Sequence, residues 1–212
     1  MINNKQDLLF YLAADKFSLG IKHKHPKMND EIWKFQIALR KVEFYKNTNK
    51  SLLKKLALIK WQLKKRKLAL ILGFDIPENV FGAGLRINHF GNLIVNNQAK
   101  IGMWCDIHQG VNIGANNSSD NKVLAPTVGN NVWIGPGAKL FGDILIGNHV
   151  AIGANAVVNK TFSDDITLAG IPAKLINKNG TREMNIAASK KRMDNFFILN
   201  QHFKMYDPSE HF

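Results

Sequence analysis

Two residues early in the middle of the chain have the types and spacing of a proton-transfer pair. His89 stands in the run Asn88-His89-Phe90-Gly91, and Asp75 precedes it by roughly one repeat coil. A neutral imidazole titrates near neutrality, so it can take the proton of a hydroxyl as that hydroxyl attacks a carbonyl. A carboxylate on the other ring nitrogen would fix the tautomer, as in other hydroxyl-activating pairs. One coil apart in sequence means adjacent in space, so the pair is expected to meet; Asp75 also reads as an ordinary helix-to-strand turn residue. His108 occupies a turn position where Gly is usual and so should face outward, whereas His149 has nothing chemical near it in sequence. The single cysteine, Cys105, falls on an inward position and reads as core filler rather than nucleophile.

These residues are positioned by a six-residue repeat. Val95, Ile101, Ile107 and Ile113 are six apart, and Val128, Ile134, Leu140, Ile146, Ile152 and Val158 resume the count. A helix repeats at 3.6 and a strand at two, so a period of six belongs to a solenoid. Four residues after each large aliphatic comes a small or apolar one, as at Ala99, Cys105, Val111, Val132, Ala138 and Val150. Each hexad is then a short strand and a turn, with three hexads to a triangular coil and Gly or Asn at the turns. Coils about 4.8 Å apart would build a prism roughly 24 Å tall from about five turns. The first coil is irregular, because Ile76 and Val95 are 19 residues apart instead of 18, and the added residue should lift His89 out of the packed interior. Between Gly114 and Val128 the lattice breaks, and residues 115–125 read as a loop extruded from one corner beside the site.

Three helices precede the column: residues 6–17, residues 29–46 capped at Asn29 or Asp30, and a third capped by Ser51 and closed by Gly73. The organisation expected is a helical domain at 1–73, the repeat domain at 74–176 and a partly helical tail at 177–212 whose Phe196, Phe197 and Phe203 should pack. Charge is uneven: residues 1–73 hold 17 Lys or Arg against 5 Asp or Glu, while 74–176 hold 6 against 7. The third helix has Leu52, Leu53, Leu56, Ile59 and Leu63 on one side and Lys54, Lys55, Lys60, Lys64, Lys65, Arg66 and Lys67 on the other. Such a helix could lie on an anionic membrane or steer an anionic polymer; equally, its apolar side could pack on the other helices or a neighbouring subunit. Lysines with no interleaved aromatics beyond Trp61 argue against nucleic acid. With no long apolar run and a polar amino terminus, the expected place is the cytoplasm, possibly at the inner face of a membrane.

Gly82-Ala83-Gly84-Leu85-Arg86-Ile87-Asn88-His89, Ile107-His108-Gln109-Gly110-Val111-Asn112-Ile113-Gly114, Val132-Trp133-Ile134-Gly135-Pro136-Gly137-Ala138 and Ala169-Gly170-Ile171-Pro172-Ala173-Lys174 resemble the hexapeptide-repeat acyltransferases, closest to the serine acetyltransferase branch. The resemblance covers about residues 74–176. It implies a left-handed parallel β-helix, a homotrimer, acetyl-CoA as co-substrate and no metal. It also implies a catalytic His at His89 with an orienting Asp at Asp75. CoA contacts would fall at Gly135, Pro136, Ala154, Asn159, Lys160 and Lys174, although both lysines read equally as surface charge. The oxyanion donors would be main-chain N–H groups at Gly114 or Ala115.

The departures bear on the acceptor. That branch shows Asp-His where this chain has Asn88-His89, and Asp-Arg-His-Pro where it has Val123-Leu124-Ala125-Pro126, so the groups that would hold a zwitterion are missing. Asn88, Trp104, Asp106 and His108 suit a hydroxyl-rich sugar, although Trp104 and Trp133 serve packing as readily. The expectation is an O-acetyltransferase acting on a sugar of a cell-surface polysaccharide or its precursor. Serine O-acetylation is the near alternative, and a non-catalytic trimeric scaffold the distant one.

Overall fold

The computed structural model describes residues 1–48, 51–117, 123–186 and 188–207. From Phe74 onward the chain winds into a left-handed parallel β-helix with three faces. The first face stacks Phe74–Asp75, Leu93–Val95, Asn112–Gly114, Lys139–Phe141 and Val157–Val158. The second stacks Lys100–Ile101, Thr127–Val128 and Leu145–Ile146, and the third Arg86–Ile87, Asp106–Ile107, Trp133–Ile134, Ala151–Ile152 and Thr167–Ala169. Lys174–Asn177 closes the third face by pairing antiparallel with Thr167–Ala169.

The six-residue period translates directly into register. Ile107, Ile134 and Ile152 stack on the third face, Ile101, Val128 and Ile146 on the second, and Val95, Ile113, Leu140 and Val158 on the first. All are buried, with Ala99, Cys105, Val111, Val132, Ala138 and Val150 filling the corners between them. Burying an aliphatic side chain of this size stabilises by about 1.5–3 kcal/mol, so the ladder is the main source of the column's cohesion. Burial also pushes the Cys105 thiol above its ordinary range, which leaves it without thiolate character.

Three helices pack at the front: α1 (Lys5–Ser18), α2 (Glu31–Asn47) and α3 (Leu52–Leu72). Asn4 caps α1 by accepting from the Asp7 N–H, Ser51 caps α3 by accepting from the Lys54 N–H, and Gly73 ends α3 at φ 75°. A side chain at Gly73 would also come within 3.1 Å of the Gly91 carbonyl carbon, where the chain passes under α3. The tail forms α4 (Lys190–Leu199), which sets Phe196 and Phe197 against Phe10, Phe17 and Trp104.

The apolar side of α3 expected from the sequence does not pack on the chain's other helices. Leu58, Trp61, Leu68, Ala69 and Leu72 face inward, and Leu52, Leu53, Leu56, Ile59 and Leu63 face solvent.

The helical front is tied to the column by one buried ion network. Asp15 of α1 accepts from Arg40 Nε at 2.8 Å and from the main-chain N–H groups of Gly84 and Leu85, each at 2.9 Å. Arg40 of α2 spends its remaining donors on Asp15, Glu43 and the carbonyls of Phe81 and Gly82. Burial works against its charge, but Asp15 and Glu43 outweigh that and hold the guanidinium protonated. Gln36 donates to the Leu85 carbonyl at 2.6 Å, so both helices are keyed to the turn that leads into Asn88 and His89.

Candidate active site

The three corners of the prism have different surroundings. The corner between the second and third faces is covered: Gly82–Leu85 by Asp15, Gln36 and Arg40, Trp104 by α1 and α4, and His149 by the turn at Thr181. The corner between the third and first faces carries Asn88, His89, His108, Gly135, Pro136 and Ala154 in successive coils. The corner between the first and second faces carries Gly114, Ala115, Asn159 and Lys160. From it rises the extruded loop, whose flanks Asn116–Asn117 and Val123–Leu124 pair antiparallel; its middle, 118–122, lies outside the described residues.

His89 is exposed on the enlarged turn. The chain takes eight steps from Ile87 to Val95 where six is the rule, and Gly91 at φ 127° lets the excess swing outward. His89 lines a cavity of about 510 Å³ between this turn, the end of α3, the segment between α1 and α2 and the start of α2, to which Asp30, Glu31 and Trp33 contribute. Asp30 is engaged by the Lys27 N–H and His23, and those bonds hold its carboxyl below the usual range.

Beneath His89 lies a second imidazole in a different state. Asn88 Nδ2 donates to Asp106 Oδ1 and contacts His108 Nε2 at 3.0 Å, so the lone pair of that nitrogen is occupied and the His108 proton sits on Nδ1. Arg86 donates to Asp106 Oδ2 at 3.2 Å. Burial lowers the pKa of His108, against the pull of Asp106, and its ring lies 6.2 Å from His89 and 5.2 Å, edge-on, from Trp133. His108 is therefore a neutral, tethered neighbour, and His89 is the imidazole open to a substrate.

The structure brings Asn88, His89 and His108 together, and it changes the standing of two expected acceptor contacts. Trp104 is completely buried on the covered corner, packed against Phe17, Phe196 and Phe197, and serves the core. Asp106 is also fully buried, its oxygens taken by Arg86 and Asn88, so it braces the site from below rather than touching an acceptor. The causes differ: α1 and the tail cover Trp104, an outward position that a lone column would expose, whereas Asp106 is closed over by side chains of the coil next to it. Asp75 is exposed on the first face, paired with Ile94, and no hydrogen bond joins it to His89. Lys160, Asn159 and Ala154 are exposed, as is Lys174 at the start of the closing strand. Asp15, Arg40 and Glu43, which hold the front on the site, gave no sequence signal beyond the i, i+3 spacing of Arg40 and Glu43.

Residues 125–160 match the family described as bacterial transferase hexapeptide (six repeats). This part of the column is a hexapeptide-repeat segment. The chain is 39% identical over 114 residues to a serine acetyltransferase of Synechococcus elongatus, covering 53% of this chain and 46% of that protein. A serine acetyltransferase of Mycobacterium tuberculosis is 36% identical over 128 residues, 56% of each chain. The chain thus spans about half the length of these relatives. Among solved structures, serine acetyltransferase from Vibrio cholerae superposes with TM-score 0.64 at 19% identity, covering 87% of this chain and 70% of that one. Serine acetyltransferase from Brucella abortus in complex with coenzyme A superposes with TM-score 0.63 at 24% identity, covering 83% and 70%. The structural likeness establishes the fold of the column. Among the described residues no group of His, Cys, Asp or Glu is arranged to hold a metal, and no helix is long and apolar enough to cross a membrane.

Proposed function

We propose that the protein is an acetyl-CoA-dependent O-acetyltransferase with His89 as general base. The observation that carries this reading is an open imidazole on an enlarged turn, at the top of a corner where Pro136 and the exposed Ala154, beside the buried Gly135, can admit the pantetheine arm of CoA. In the proposed reaction His89 takes the acceptor's hydroxyl proton and the oxygen attacks the thioester carbonyl. Main-chain N–H groups at Gly114 or Ala115 stabilise the oxyanion, the C–S bond breaks, and His89 returns the proton to the departing thiolate. Lys160, with Asn159 next to it, and Lys174 are proposed partners for the CoA phosphates.

The site is split. His89, Gly135, Pro136 and Ala154 lie on one corner and Gly114, Ala115, Asn159 and Lys160 on another, separated by a face about 10 Å wide. Only a neighbouring column can bring the two sets together, which supports a homotrimer with sites between its members.

Two acceptors follow from different observations. The serine acetyltransferase relatives favour the hydroxyl of serine. A sugar hydroxyl, as in a cell-surface polysaccharide or its precursor, is favoured by the absence of zwitterion-holding groups at Asn88 and at Val123-Leu124-Ala125, with Asn88 and His108 as its remaining contacts.

His89→Ala is expected to lower acetyl transfer at least about a thousandfold with the melting temperature unchanged, measured as CoA release against serine and a panel of capsule-type saccharides. Near-normal turnover in that variant would remove the mechanism. Asp75 carries the orienting role, and its bond to the ring has to form on loading, as catalytic bonds in unliganded sites commonly do. Asp75→Asn should then lower kcat about tenfold or more with little change in KM. Unchanged kcat would take Asp75 out of the mechanism and leave His89 in it.

A further inference from the structure

Helix α3 presents two apolar stripes, and only one is used by the fold. Leu58, Trp61, Leu68 and Leu72 face α2 and the column, while Leu52, Leu56, Ile59, Leu63 and Leu70 form a second line along the opposite face. At 3.6 residues per turn these five fall within one narrow sector some 27 Å long. Each is between 53% and 76% exposed, which is unusual for aliphatic side chains repeated at helical spacing.

The charges on the helix indicate what covers this stripe. None of its residues is acidic. Lys65 is drawn in to Glu78 at 2.6 Å and Lys54 donates to the Thr48 carbonyl, which leaves Lys55 and Arg66 along one edge of the stripe and Lys60, Lys64 and Lys67 along the other, all exposed. A second copy laid on this face would bring an equally basic helix against it, with no carboxylate on either α3 to compensate. An anionic polymer would satisfy the lysines and leave the leucines in water. A bilayer carrying anionic headgroups satisfies both, with aliphatics at the acyl boundary and the cations among the phosphates.

We infer that α3 docks the protein in the plane of an anionic membrane surface through Leu52, Leu56, Ile59, Leu63 and Leu70. The inward stripe keeps the helix fixed to the column, so the whole molecule is held at the surface. At the end of α3, Ile71 and Leu72 line the same cavity as His89, beside the exposed ring of Phe90, so docking sets the mouth of that cavity near the headgroups. The docking itself does not depend on the acyl-transfer reading.

Sedimentation of the full chain with vesicles tests this, using phosphatidylcholine with about 30% phosphatidylglycerol against phosphatidylcholine alone. Binding to the anionic vesicles is expected to be at least about tenfold tighter and to weaken in about 0.5 M salt. Leu56→Glu/Ile59→Glu should lose that binding about tenfold or more while keeping the helical circular dichroism, and Leu56→Ser/Ile59→Ser serves if the first variant folds poorly. The inference is overturned if the unmodified protein ignores anionic vesicles, or if either aliphatic variant binds them as tightly as the unmodified chain, which would leave charge attraction alone. It is also overturned if these variants change only the assembly size in light scattering, which would make the stripe a contact between copies.

Discussion

Two imidazoles share one corner, and a single amide separates their roles. Asn88 donates to Asp106 and occupies His108 Nε2, leaving His89 exposed one coil above. A third, His149, is buried on the covered corner with its Nδ1 unpartnered, and burial, helped by Arg182, lowers its pKa as burial lowers that of His108. Both groups are favoured neutral in the fold, whereas the unfolded chain takes up the proton near the ordinary value of about 6.5. The unfolded state therefore binds more protons as pH falls, so their contribution is constant above that value and stability declines below it. Urea midpoints should be lower at about pH 5.5 than at about pH 7.5, and His149→Gln should shrink the difference. Equal midpoints would show that neither ring is held neutral. Asp106 and Trp104 are the residues on which sequence reasoning went furthest astray. Their hexad positions point outward, and nothing local reveals that Arg86 and Asn88 close over the first or that α1 and α4 close over the second.

At the scale of elements, the helices do two jobs that their composition does not separate. Asp15, Arg40 and Glu43 join α1, α2 and the turn at Phe81–Leu85 into one buried network. Arg40→Met would leave Asp15 buried without its cation, and removing one partner of such a network costs about 3–5 kcal/mol. Equilibrium unfolding in urea should register that loss, and a change below about 1 kcal/mol would mean that the front is held by apolar packing alone. Gly84 lies in the same turn at φ 80°, with the Trp104 ring 2.7 Å from where a Cβ would stand, so column, front and tail meet there without room for a side chain. The boundaries of α3 were legible because Ser51 and Gly73 are strong local signals. Its orientation was not, since Leu52-Leu56-Ile59-Leu63 and Leu58-Trp61-Leu68-Leu72 are equally good helical stripes. Which one faces inward depends on α2 and the column.

For the whole molecule, the decisive feature is a column whose proposed catalytic and CoA-binding groups stand on two corners. If they act together, the protein assembles around a three-fold axis, and light scattering should return three times the chain mass. A monomer that turns over acetyl-CoA would break that argument. Addition of CoA should raise the melting temperature of the trimer, and replacing the exposed Ala154 with Trp should abolish the shift without dissociating it.

The period of six was enough to determine the column, its three faces and the register of its ladder, because inward positions in a stacked coil repeat at a spacing no other regular element uses. The enlarged turn at His89 was also readable, as an excess of residues against that period. Tertiary structure alone decided which outward residues stay outward. Cover over Trp104 and the choice between the two stripes of α3 depend on long-range contacts. Those contacts leave no periodicity in the chain, because the partners come from helices and a tail that obey no common repeat.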